Sequence, residues 1–309
     1  MIVTVTMNPA IDKTVEIPTL LPGGLNRIQK VEYDVGGKGI NVSKTIYELG
    51  GESIATGFLG GNTGKTIQHV LAEKGIPHDF VWVEGETRTN TKVFENSGAV
   101  TELNEPGPMI SPEQTEALLG KLEQYAGEQT LFVLAGCVPA GMDKGIYGKI
   151  IRLVHARGAK VLLDADGELF EKALEAGPDI IKPNRAELET YVGMKRPASQ
   201  EELQKLAWGL REKGVDTVAV SMGSDGAMFV LGEEQVFCPA LSVKAHSTVG
   251  AGDAMVAALA FAWERDMDAE ETVRLCMAAS AGAVTTIGTK PPERRLVEKL
   301  KEQVEIWKG

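Results

Sequence analysis

Three short segments hold the residue types that chemistry needs. Gly36-Gly37-Lys38-Gly39-Ile40-Asn41 precedes the helix-period run Val42–Leu49, and Ser247-Thr248-Val249-Gly250-Ala251-Gly252-Asp253 precedes Met255–Trp263. Glycine-rich segments that open helices leave amides unpaired at the positive end of the helix dipole, where anions bind. Lys38 adds a cation to the first segment and Asp253 a carboxylate to the second. A carboxylate repels a bound phosphate, so it suits a proton acceptor for a hydroxyl attacking phosphorus. The amides of Gly250, Ala251 and Gly252 would then stabilise the developing charge. Phosphoryl transfer is mostly positioning plus electrostatics and asks for little more. The ordinary alternative for Asp253 is an N-cap.

The third segment is Lys182-Pro183-Asn184-Arg185-Ala186-Glu187, at the end of the strand-like Ile180–Lys182. Asn184 and Glu187 have the spacing of a capping box. The same pair sets a carboxamide and a carboxylate at a strand's C-terminal end, where α/β proteins bind ligands, and would suit water-mediated magnesium on a nucleotide.

Other segments imitate chemistry. Gly60-Gly61-Asn62-Thr63-Gly64-Lys65-Thr66 resembles a P-loop, but Leu59 stands where the first glycine is required, so it reads as a glycine-rich strand-to-helix turn lining a cleft. Ser221-Met222-Gly223-Ser224-Asp225-Gly226 lacks the third glycine of a dinucleotide site and leads into a hairpin of Ala227–Leu231 with Gln235–Cys238. His69, His78, His155 and His246 have no metal-ligand spacing, and Cys137 has no identifiable histidine partner.

The elements that must position these groups follow from periodicity. Apolar runs at Ile2–Thr6, Ile54–Leu59, Leu131–Ala135, Val161–Asp164, Ile180–Lys182 and Val218–Ser221 read as strands. Helical stretches at Gly39–Leu49, Thr63–Lys74, Pro112–Tyr125, Lys144–Ala156 and Glu201–Lys213 lie between them, which predicts a mostly parallel sheet with helices on both faces. Ala251–Glu264, Ala269–Thr286 and Pro292–Trp307 read as three closing helices, the alanine-rich middle one buried. Ile11–Ile17, Ile28–Val35 and a hairpin of Asn90–Asn96 with Ala99–Asn104 have no crossover helices and predict a small separate sheet, a lid or an interface. The 309 residues then form one domain, with the lid drawn from about 11–36 and 88–105.

A balance of 32 basic against 43 acidic residues argues against nucleic acid as partner, yet leaves room for a small anion held by a few local cations. The three cysteines, odd in number and widely spaced, suit a reducing compartment. No apolar run is long enough to span a membrane. The start, MIVTVTMNPAID, has no signal-peptide pattern, so a cytoplasmic chain is expected.

Over essentially its whole length the chain resembles the phosphofructokinase B (ribokinase-type) carbohydrate kinases, on the Gly36–Asn41 and Thr248–Asp253 segments with Asn184-x-x-Glu187 upstream of the second. The resemblance implies a ribokinase-like α/β domain with a small β-sheet lid often shared in a homodimer, and ATP with magnesium. It makes Asp253 the catalytic base and Gly250, Ala251 and Gly252 the anion hole. Asn184 and Glu187 would hold the metal through water. Lys182 and Thr248 would approach the nucleotide, and Ser221, Gly223 and Gly226 would line its pocket. Asp12 and Asn41 would bind sugar hydroxyls beside Gly37.

Within the family, the stretches Thr6–Asp12, Leu25-Asn26-Arg27, Gly37–Asn41, Thr87–Lys92 and Thr101–Asn104 look most like the members acting on fructose 1-phosphate. Arg27, Lys38, Arg88 and Lys92, with Asn90 among them, would then surround a phosphorylated ketohexose. The same chemistry on tagatose 6-phosphate is the alternative, and a catalytically silent sugar-phosphate sensor is a third reading. Cys137 stands in place of a serine of the family's usual Ser-Gly-Ser-Leu-Pro, and Asp164-Ala165-Asp166-Gly167 replaces a Ser/Thr-rich version.

Overall fold

A computed structural model describes residues 1–308. The chain opens with β1 (Ile2–Thr6), β2 (Ala10–Ile17), β3 (Lys30–Gly36) and α1 (Lys38–Glu48). Next come β4 (Ile54–Gly60), α2 (Gly61–Glu73), β5 (Val81–Val83), β6 (Arg88–Glu95) and β7 (Val100–Asn104). From α3 (Pro112–Tyr125) strands and helices alternate: β8 (Leu131–Ala135), α4 (Ile146–His155), β9 (Lys160–Asp164), α5 (Gly167–Leu174) and β10 (Ile180–Ile181). The helices α6 (Arg185–Tyr191) and α7 (Gln200–Glu212) lead to β11 (Thr217–Ser221), then the hairpin β12 (Ala227–Leu231) and β13 (Glu234–Cys238). The closing elements are α8 (Ala251–Glu264), α9 (Ala269–Ala283), α10 (Arg294–Lys301) and β14 (Trp307–Lys308).

Ten strands form one sheet in the order β14-β13-β12-β11-β10-β9-β8-β1-β4-β5. Pairing is parallel from β5 through β11 and antiparallel from β11 to β14. Residue alternation explains why both faces are covered. In β8, Phe132 and Leu134 pack under α3, α4, α5 and α7, while Leu131, Val133 and Ala135 pack under α1, α8 and α9. A buried parallel strand therefore reads as a continuous apolar run. This is the ribokinase-like α/β architecture the sequence leads one to expect.

The second sheet runs β3-β2-β6-β7, with β2 and β6 parallel and both outer pairs antiparallel. It is joined to the large body at Gly36-Gly37, where Gly37 has φ 105° and a Cβ would stand 2.7 Å from Thr6 Cγ2. Glycine is required there both by conformation and by space.

Of the closing helices, α9 is buried as its alanine-rich sequence predicts, and α8 is buried with it over the unbroken run Asp253–Ala262. Two expectations need correction. The expected helix Pro292–Trp307 stops at Lys301, and Trp307–Lys308 instead extend the edge of the large sheet beside β13. Finally, the Gly60–Thr66 turn does not line the main cleft. The Glu86 carboxylate accepts from the Asn62 and Thr63 amides at 3.1 and 3.0 Å, so the anion position at the start of α2 is already filled by a side chain.

Candidate active site

Parallel strands that end side by side deliver their next residues to one cleft. Asp164 ends β9, Lys182 follows β10 and Ser221 ends β11, and all three line a cavity of about 590 Å³. Lys38, Asn184, Glu187, Gly223, Gly226, Thr248, Gly250, Ala251, Gly252 and Asp253 line it too. Part of its wall is apolar, built from Leu241, Val243, Met277 and Val284. Thus sequence segments more than two hundred residues apart converge in one place, as the three glycine-rich and strand-end motifs require.

The start of α8 is arranged to leave donors free. Gly250 occupies its N-cap in the left-handed region, φ 87°, and has no side chain to cap with. The first helical bond runs from Ala254 N–H to the Gly250 carbonyl, so the Ala251 and Gly252 amides have no partner within the helix, and both residues line the cavity. Asp253 lies in the first turn and is not the N-cap. Its side chain is 9% exposed, and its Oδ2 accepts from Asn41 Nδ2 at 2.8 Å. Burial, and next the neighbouring Asp164 charge, push its carboxyl up to about 6, against the pull of Lys38, Asn41 and Lys182. A carboxyl at that value is a base at neutral pH that still grips a proton well.

Asp164 belongs to none of the three motif segments. It is 2% exposed, with Lys38 Nζ 3.3 Å from Oδ2 and Lys182 Nζ 3.3 Å from Oδ1. Burial opposes its charge, but Lys182 and Lys38 hold the carboxyl below its usual range. The signal that could have found it is its place as the last residue of a buried parallel strand. Lys38, drawn mainly by Asp164, is held protonated beyond its ordinary range. A Cβ on Gly252 would stand 3.5 Å from Lys182 Nζ, so this ammonium lies close to the first turn of α8.

Asn184 and Glu187 form the capping box: Asn184 Oδ1 accepts from the Glu187 amide and Glu187 Oε2 from the Asn184 amide, each at 2.8 Å. Both still line the cavity, so the structural and the ligand-facing readings hold at once. Asn41 is buried against Asp253. Asp12 sits on the small sheet opposite Asn90, whose Nδ2 donates to Asp12 Oδ1 at 3.4 Å. Burial raises the Asp12 carboxyl, with Lys92 opposing. Arg88 reaches the Asn8 and Glu105 carbonyls and lies 3.7 Å from Cys137 Sγ. Arg27 lies in the exposed segment between β2 and β3. Among the described residues no cluster of three His, Cys, Asp or Glu side chains is set to hold a metal, and no helix is long and apolar enough to cross a membrane.

A cleft at the strand ends with uncapped helix amides, two ammonium groups and a buried carboxylate has the chemistry that phosphoryl transfer calls for. Residues 1–295 match the pfkB family of carbohydrate kinases, and the chain belongs to that family. It is 38% identical to the 1-phosphofructokinase of Rhodobacter capsulatus over 297 residues, 95% of this chain and 94% of that one. It is 36% identical to the 1-phosphofructokinase of Borreliella burgdorferi over 309 residues, covering 99% and 98%. The fold superposes with a TM-score of 0.91 on Escherichia coli phosphofructokinase-2 in complex with fructose-6-phosphate, at 28% identity and 98% coverage of both chains.

Proposed function

We propose that the protein is a 1-phosphofructokinase, moving the γ-phosphoryl group of ATP to the C6 hydroxyl of fructose 1-phosphate. The observation that carries this is Asp253, a buried carboxylate in the first turn of α8 beside free amides, in a family of sugar kinases. Asp253 takes the C6 proton as the oxygen bonds to the γ-phosphorus, and the bond from that phosphorus to the ADP oxygen breaks. The Ala251 and Gly252 amides, with Lys38 and Lys182, stabilise the charge on the transferring group. The apolar part of the cavity wall takes the adenine, with Ser221, Gly223, Gly226 and Thr248 along its approach.

Magnesium fits the donors present. Asn184 and Glu187 offer hard oxygen ligands to an ion that keeps most of its waters and its phosphate contacts. When bound, it neutralises phosphate charge. The acceptor sits under the small sheet as a lid spanning about 11–36 and 88–105, with Asp12, Asn90, Arg88 and Lys92 on its hydroxyls and phosphate. Closure excludes water and limits ATP hydrolysis. Tyr33 and Leu103, 64% and 60% exposed on that sheet, support a homodimer covering it.

The family likeness of Arg88–Lys92 and Thr101–Asn104, and relatives named 1-phosphofructokinase, favour fructose 1-phosphate over tagatose 6-phosphate. A coupled assay with ATP and each of fructose 1-phosphate, fructose 6-phosphate and tagatose 6-phosphate tests this. Fructose 1-phosphate should give the highest kcat/KM, and a preference for either other sugar overturns the assignment.

A further inference from the structure

Lys44 is 3% exposed, lies on α1 and does not line the active-site cavity. A buried ammonium costs free energy that an apolar side chain would not, so its contacts need a reason. It donates to Asp34 Oδ1 at 3.0 Å, to the Val35 carbonyl at 2.8 Å and to Asn41 Oδ1 at 3.4 Å, which uses all three of its protons. Asn41 turns its other end, Nδ2, to Asp253. Asp34 Oδ2 accepts from Thr289 Oγ1 at 3.0 Å, and Thr289 packs on Gly250, where a Cβ would stand 3.4 Å from Thr289 Cα.

A carboxamide has two orientations, and its neighbours choose between them. An ammonium is a donor only, so it fixes Oδ1 of Asn41 toward itself and Nδ2 toward Asp253. The reversed amide would set a donor against a donor at Lys44 and an oxygen against a carboxylate at Asp253. We infer that Lys44 is a positioning residue for phosphoryl transfer: by fixing the Asn41 amide it ties Asp253 Oδ2 and reserves Oδ1 for the sugar's proton. Through Asp34 and Thr289 it links that setting to strand β3 of the small sheet and to the turn against Gly250. The inference rests on the proposed role of Asp253 as base.

Asp253 is faced by Lys38 and Asn41 from α1, Asp164 from β9 and Lys182 beyond β10. Lys44 is faced by Asp34 from β3, Asp12 from β2 and Lys74 at the end of α2. Losing the Asn41 hydrogen bond removes a contact that favours the charged carboxylate, so the acid limb of kcat/KM should move to higher pH. For Lys44→Met the expected result is a limb raised by about one pH unit, with kcat about tenfold lower and KM for ATP within about twofold. Adding Lys44→Met to Asn41→Ala should produce no further shift, because the effect passes through Asn41. Should Lys44→Met not fold, Asp34→Asn, which leaves the buried amine without its counter-charge, should move the limb in the same direction.

A purely structural lysine would lower the melting temperature and leave the limb and kcat in place; that outcome, or additive shifts in the double variant, overturns the inference. Asp253→Asn is the separate control: full turnover there removes the base assignment itself, whereas lost turnover with an unmoved Lys44→Met limb removes only the role of Lys44.

Discussion

Lys182 Nζ lies 3.3 Å from Asp164 Oδ1 with the two side chains 5% and 2% exposed, an ion pair in the wall of the cleft. Removing one partner of such a pair leaves the other charge buried with poorer compensation. Asp164→Asn should cost about 3–5 kcal/mol, read as a lower urea midpoint at unchanged slope. A variant as stable as the parent would show that solvent already screens the pair.

As the proposed base, Asp253 ties activity to pH. Its carboxyl must be ionised to take a proton and is raised to about 6, so kcat/KM should fall as pH drops through about 6. A profile level down to pH 5 would place the controlling group elsewhere.

The same shift has a cost in stability. The folded carboxyl binds its proton up to about 6, against 3.8 when free, so stability is fully present below the lower value and is lost as pH rises to the upper. Asp253→Asn removes that penalty. It should lower turnover by orders of magnitude yet stabilise the protein at pH 8 by up to about 3 kcal/mol, with the gain vanishing near pH 4. Differential scanning calorimetry at the two pH values checks this.

Two helix starts that look alike in sequence should respond differently. Glu86→Ala uncovers the Asn62 and Thr63 amides and should lower the melting temperature modestly while leaving KM for ATP unchanged. A raised KM would mean that the Gly60–Thr66 turn serves the nucleotide after all.

Cys238 and Cys276 are buried, and burial pushes the Cys238 thiol up to about 12 and the Cys276 thiol higher still. Only Cys137 is exposed. A thiol reagent should therefore label one cysteine in the native protein and three after denaturation. Because Cys137 Sγ lies 3.7 Å from Arg88 Nη2, fructose 1-phosphate should slow that labelling. Equal rates with and without the sugar would separate Arg88 from the acceptor.

Local signals carried much of this architecture. β8 lies where an unbroken apolar run puts it, since a strand covered on both faces leaves no polar alternation to misread. Asp253 was legible because a carboxylate among glycine amides conflicts with simple anion binding. Asp164 was not, because a strand-ending aspartate looks ordinary until two lysines from distant segments arrive beside it. β5 and β14 were missed for a different reason: three-residue and two-residue strands at sheet edges get their pairing from neighbours that no local pattern reveals. The apolar part of the cavity wall was equally hidden, being shared between the 240–245 segment and α9.

The parallel pairing of β2 with β6 sets Asp12 against Asn90, 78 residues further on. The connection between them carries β3, α1, β4, α2 and β5, so the two strands at the centre of the small sheet bracket a segment that also supplies one edge of the large one.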